Sequence, residues 1–289
     1  MYVMKVSDPL GHQLPLNRRE RAYSPSSLAP SYKQTLTQYR SDSQAAIALL
    51  GQPRVLRYGP AAREKILLFQ ATRSPGATIV YIHGGYWQEL SAKDSLFSAP
   101  GLNAHGLDYA AVGYSLAPNV PLEYIVDQVA QALLTLRTWY AARGQVPKII
   151  LVGSSAGAHL AAMLLCRIWP DSSPFQGALL VSGIYDLQPL VGTYINQPLH
   201  LTPHQSAQLS PLHLPIHNPV PVAIAWGEME TTVFKYQSLA LAERLTHYMP
   251  VTAVRSCSGR NHFDIVFDIA IPQTTLNQCL KTLLTPEKL

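Results

Sequence analysis

From about residue 54 onward, apolar positions fall into two alternating rhythms. Short runs rich in Val, Ile and Leu predict strands at Val55–Tyr58, Lys65–Phe69, Thr78–His83, Tyr109–Tyr114, Lys148–Val152, Gly177–Val181, Val220–Trp226 and Thr252–Arg255. Between them, apolar positions at helical spacing predict helices over Ser91–Ala104, Leu122–Ala142, Ala156–Ile168, Phe234–Tyr248 and Gln273–Leu284. The runs IVYIH and IILVG are apolar without alternation, as in strands buried on both faces of a parallel sheet. The first two strands are joined by the short turn YGPAARE, which suits an antiparallel start. The fold class is therefore α/β: a mostly parallel, doubly wound sheet of eight strands with helices on both faces.

Two stretches depart from this rhythm. Residues 1–30 are rich in Pro, Ser and Arg and read as irregular, and 31–50 carry a helical pattern, so 1–53 form an N-terminal arm and helix. Residues 185–219 hold Pro189, Pro198, Pro203, Pro211, Pro215 and Pro219 together with four histidines. That is too long for a simple connection and predicts a cover or lid over an active site, with a packed surface excursion as the other reading. The whole chain, 1–289, reads as one domain.

Composition narrows the classes. Hydrophobic residues make up 47% of the 289 positions, which excludes intrinsic disorder. Charged residues are only 13%, against ~25% in ordinary soluble domains. The net charge is +5, and much of the basic excess lies between Arg18 and Arg73 without interleaved aromatics, so no nucleic-acid partner is expected. Cys166, Cys257 and Cys279 form no disulfide framework and suit a reducing compartment. The opening residues, MYVMKVSDPLGHQ, lack an apolar stretch of signal-peptide length, and no run is long enough for a membrane span. The expectation is a cytoplasmic enzyme of small molecules, with a homodimer left open.

The chemistry is concentrated in three segments. In KIILVGSSAGAHLAAMLL a buried strand runs through Gly153-Ser154-Ser155-Ala156-Gly157 into an apolar helix, the strand–turn–helix setting of a G-x-S-x-G nucleophile elbow. Ser155 would stand at a helix N-terminus, where the helix dipole and the Ala156 N–H favour negative charge. Upstream, His83-Gly84-Gly85-Tyr86-Trp87 follows another buried strand. Its glycines let backbone N–H groups approach a reacting carbonyl, so Gly84 and Gly85 join Ala156 as oxyanion donors. His83 reads as a loop anchor. Tyr86, Trp87 and Tyr185 are candidate walls of a substrate pocket, packing of their own loops being the plainer role.

The base should follow the last strand, and His262 in NHFDIV is the histidine with that setting. His105 and His247 read as surface or packing residues, and His159 packs beside the elbow. For the acid, Glu230 in GEMETTVF lies far enough past Gly227 to turn toward His262. Glu228 and Asp186 remain alternatives. Together these residues point to a serine hydrolase acting on a small ester or amide: His262 deprotonates Ser155 while the acid holds the imidazole.

With these pieces placed, the sequence resembles the arylformamidase (kynurenine formamidase) branch of the α/β-hydrolase superfamily. The likeness rests on HGGYWQ, on RERAYSPSSLAPSYKQTLTQYRSDSQ and YGPAAREKILLF, on SGIYDLQPL and LSPLHLP, and on GEMETTVFKYQS and NHFDIV. It implies hydrolysis of an N-formyl arylamine such as N-formyl-kynurenine, with Glu230 as the acid and with neither cofactor nor metal. The chain departs from the family pattern at Glu230, where Asp is usual, at Ser154 and Ala158 of the elbow, and at Val233. Carboxylesterase, thioesterase or acyltransferase activity is the nearest alternative. A catalytically inactive binding module is the alternative of another class.

Overall fold

Residues 77–82, ATIVYI, are buried at every position, and their side chains feed two cores. Ile79 and Tyr81 join one apolar cluster, and Val80 and Ile82 join the other. This division is what a strand covered by helices on both faces requires. A computed structural model describes residues 8–72 and 76–284. The first seven residues, on which the reading of the N-terminus partly rests, and Arg73 lie outside the described residues.

Eight strands are present: β1 Arg54–Arg57, β2 Lys65–Phe69, β3 Ala77–Ile82, β4 Asp108–Val112, β5 Lys148–Ser154, β6 Gly177–Val181, β7 Val222–Gly227 and β8 Val251–Cys257. They form one sheet in the order β1-β2-β4-β3-β5-β6-β7-β8. β1 and β2 are antiparallel to their neighbours, and β3 to β8 are parallel. The chain leaves β3 toward β4 on one side, while β5 pairs with β3 on the other. The crevice beyond the C-terminal ends of β3 and β5 is thus a topological switch point, where open α/β sheets bind ligands.

The helices are α1 Leu16–Ala22, α2 Tyr32–Leu50, α3 Ala99–Ala104, α4 Leu122–Ala141, α5 Ala156–Cys166, α6 Pro203–Gln208, α7 Thr232–Leu245 and α8 Thr275–Leu284. Leu133 of α4, Leu160 of α5 and Leu241 of α7 belong to the first core. Ala46 of α2, Leu102 of α3 and Leu280 of α8 belong to the second.

Two expectations need correction, and one segment gains detail. The single helix over 91–104 is a short 3-10 turn at Ala92–Ser95 followed by α3, which starts afresh with Pro100 in its first turn. Proline is at home there but clashes with a carbonyl four residues back in a continuing helix. The arm before residue 30 is not wholly irregular, since α1 forms with no buried residue to give it an apolar stripe. Within 185–219, α6 is fixed by a capping box between Thr202 and Gln205.

Candidate active site

β5 runs straight into Ser155, whose backbone has φ 55 and ψ −118. That region is sparsely populated by L-residues and is held only where the surroundings over-determine it. α5 starts at the next residue, and the Ser155 N–H is tied to the Val181 carbonyl at 2.8 Å. Two glycines permit the close approach of β3 to this turn. A Cβ on Gly157 would lie 1.9 Å from the Ile82 oxygen. A Cβ on Gly84 would lie 3.0 Å from the Ser154 oxygen and 3.1 Å from the Ser155 Cβ. The backbone after β3 therefore rests directly against the serine.

His262, in the loop after β8, reaches the same point. Its Nε2 is 3.0 Å from Ser155 Oγ, and its Nδ1 is 2.8 Å from Glu230 Oε2. The other carboxylate oxygen, Oε1, accepts from Ser182 Oγ at 2.6 Å and from the Gly227 N–H at 2.5 Å. Ser155, Glu230 and His262 are all buried. Phe234 packs at a steep angle against the imidazole, with ring centroids 4.5 Å apart. A serine, an imidazole and a carboxylate in this sequence of contacts can pass a proton from hydroxyl to leaving group.

The rival carboxylates are elsewhere. Glu228 is exposed; the Gly259 N–H and the Ser258 hydroxyl hold its carboxyl below the usual carboxylate range. Asp186 is 1% exposed and faces His12 and His213, each with Nε2 at 3.1 Å from Oδ2. Gln237 straps the same segment, donating to the Asp186 carbonyl at 3.0 Å. Asp186 thus ties the N-terminal arm to the core.

A cavity of about 300 Å³ opens beside Ser155 and His262. Gly84, Gly85 and Tyr86 line it, and the Tyr86 hydroxyl donates to the Tyr23 carbonyl at 2.5 Å. Trp87 and Tyr185 do not line it, which corrects their assignment to the pocket wall. Trp87 is fully buried with its ring edge-on to His159. Tyr185 is fully buried and packs against Gly183. His83 stacks on Tyr114 at 4.1 Å, and burial lowers its pKa to about 4. His159 is likewise held down to about 4 by burial, with Nε2 2.7 Å from the Leu209 carbonyl.

The remaining walls escaped the sequence reading. Tyr32, Leu36 and Tyr39 come from α2, and Tyr194 and Ile195 come from the Pro-rich segment. The Tyr39 hydroxyl donates to the Phe263 carbonyl at 2.5 Å, so the arm contacts the residue next to His262. Ser182 was also missed. It sits just past β6 with φ 54, and the only signal was a Ser-Gly pair after a strand. Among the described residues, no group of three or more His, Cys, Asp or Glu is arranged to hold a metal ion. No helix among them is long and apolar enough to cross a membrane.

A mostly parallel sheet of this order with a strained serine at its switch point defines an α/β hydrolase, and residues 79–215 match the family described as having the alpha/beta hydrolase fold. Curated relatives include kynurenine formamidase of Danio rerio, 33% identical over 86% of this chain and 89% of that protein. Kynurenine formamidase of Salmo salar is 32% identical over 90% and 94%. Among solved structures, a candidate thioesterase from Silicibacter sp. superposes with a TM-score of 0.79 at 25% identity, covering 90% of this chain and 97% of the other. The Pyrobaculum calidifontis esterase superposes at 0.65 with 19% identity over 90% and 94%, a likeness of fold. The chain belongs to the formamidase-like family of α/β hydrolases, and it is a hydrolase enzyme.

Proposed function

We propose that the enzyme hydrolyses an N-formyl arylamine through a formyl-enzyme on Ser155. The observation that carries this reading is His262, hydrogen-bonded to Ser155 on one nitrogen and to Glu230 on the other. His262 takes the Ser155 proton as Oγ attacks the formyl carbon. The N–H groups of Gly84, Gly85 and Ala156 hold the resulting oxyanion, each donor being worth about 3–4 kcal/mol in comparable sites. His262 then gives the proton to the aryl nitrogen, the C–N bond breaks, and the arylamine leaves. Water, deprotonated by the same imidazole, releases formate.

The names of the Danio and Salmo relatives support formamide cleavage, and the aromatic wall supports an aryl leaving group. The arm and residues 185–219 act together as the cover of a single domain. The unpaired Cys166, Cys257 and Cys279 support a reducing, cytoplasmic setting. The test is kcat/KM on N-formyl-kynurenine beside p-nitrophenyl acetate and butyrate. Deformylation should match or exceed ester turnover. Good ester turnover with no formate released would sink the formamidase reading.

A further inference from the structure

One imidazole ring, that of His262, must meet Ser155 at 3.0 Å and Glu230 at 2.8 Å, so the backbone that carries it has to be fixed. One constraint is local. Asn261 Oδ1 accepts from the Phe263 N–H at 2.8 Å and from the Asp264 N–H at 3.2 Å, while Asp264 Oδ1 accepts from the Asn261 N–H at 2.8 Å. This reciprocal bracket is of the capping-box kind, and His262 lies inside it. The other constraint comes from 224 residues away, where the Tyr39 hydroxyl of α2 donates to the Phe263 carbonyl. Phe263 is thus held by its N–H from one side and by its carbonyl from the other. Its ring meets the His262 ring edge-on, with centroids 5.4 Å apart.

Tyr39 is itself packed in place, stacked on Phe97 at 5.1 Å and edge-on to Phe267 at 5.4 Å. Burial holds its phenol well above the ordinary range, so the hydroxyl stays protonated and remains a donor. A general base must lie within hydrogen-bond reach of the proton it takes, and a small misplacement costs rate steeply. Resting on the Ser155–His262–Glu230 relay proposed above, we propose that Tyr39 is a positioning residue that acts through the Phe263 carbonyl to set the His262 imidazole between Ser155 and Glu230. Helix α2 then completes the reacting centre as well as walling the cavity. The Tyr39 hydroxyl is spent on backbone, so its removal acts on rate and not on substrate affinity.

Tyr39→Phe tests this, since it keeps the ring and removes the hydroxyl. Its kcat on p-nitrophenyl acetate should fall about ten-fold with KM within about two-fold, and labelling of Ser155 by a fluorophosphonate should slow by a similar factor. Asn261→Ala frees the Phe263 N–H from the other side; it should show the same split, and it decides the matter if Tyr39→Phe does not fold. Tyr58→Phe is the control. It deletes a hydrogen bond from a tyrosine hydroxyl to the Gly113 carbonyl, and neither residue lines the cavity. Its melting temperature should fall about as much while kcat holds. Labelling of the wild type with an equal rate in Tyr39→Phe overturns the positioning role and leaves the relay standing. A raised KM with kcat intact, or an equal loss of kcat in Tyr58→Phe, overturns it as well. No labelling of the wild type overturns the relay and the positioning role together. Ester rates that rank as expected, with no formate released from N-formyl-kynurenine, support the positioning role while the formamidase reading fails.

Discussion

Ser182 Oγ donates to Glu230 Oε1 at 2.6 Å, so the residue just past β6 holds the proposed acid that follows β7. One carboxylate oxygen reaches sideways to Ser182 and Gly227, and the other faces His262. Ser182→Ala should lower kcat about ten-fold with KM little changed, because a hydrogen bond to a charged group is worth about 1.5–3 kcal/mol. Steady-state kinetics checks this. An unchanged kcat would mean that the Gly227 N–H alone orients the acid.

The three carboxylates should separate by phenotype. Glu230→Gln should cut kcat on the order of a thousand-fold with a modest change in melting temperature. Glu228→Gln should stay within about two-fold in activity, since its partners are surface groups. Asp186→Ala should destabilise by about 2–4 kcal/mol, measured by urea unfolding, because it strips the buried partner from His12 and His213. A catalytic collapse in Asp186→Ala with full stability would reassign the acid.

The close approach of β3 to the elbow predicts two different glycine phenotypes. Gly157→Ala drives a Cβ into backbone at 1.9 Å, so soluble yield and melting temperature should fall sharply. Gly84→Ala meets Ser154 and Ser155 at 3.0–3.1 Å, which a small shift can absorb. Its folded protein should accumulate while kcat falls about a hundred-fold, since the shift moves the backbone beside the nucleophile. Circular dichroism melting and kcat on one preparation separate the two.

Acid should destabilise the fold through two buried imidazoles. Burial lowers His83 and His159 from 6.5 to about 4. Between those values the unfolded chain binds more protons than the folded one. Stability is therefore full above about pH 6.5 and is lost as pH falls toward 4, by on the order of 3 kcal/mol per imidazole. Urea midpoints from pH 7.5 to 4 should trace this loss, and His159→Gln should flatten its share.

What the sequence made legible follows the range of the interactions involved. The elbow was readable because Lys148–Ala162 encodes strand, turn and helix within one short segment, each with its own pattern. His262 was readable from its position after the final strand. Residue type alone does not single out the acid, because Glu228, Glu230 and Asp186 all follow strand ends. Spacing past Gly227 and the resemblance favoured Glu230, and the long-range contact to His262 is Glu230's. The arm over the cavity was hidden for a similar reason. α1 buries no side chain, and the arm is pinned by contacts such as Tyr39 to Phe263 and His12 to Asp186, which span well over a hundred residues. Trp87 and Tyr185 misled because large rings serve packing as readily as substrate walls.

The proposed relay makes Ser155 the nucleophile, activated by His262 and Glu230. Its most direct test is intact mass and peptide mapping after incubation with a fluorophosphonate probe. One adduct per chain is expected, on Ser155, lost in Ser155→Ala and strongly slowed in His262→Ala. Absence of an adduct on the wild-type protein, or equal labelling of Ser155→Ala, would contradict it.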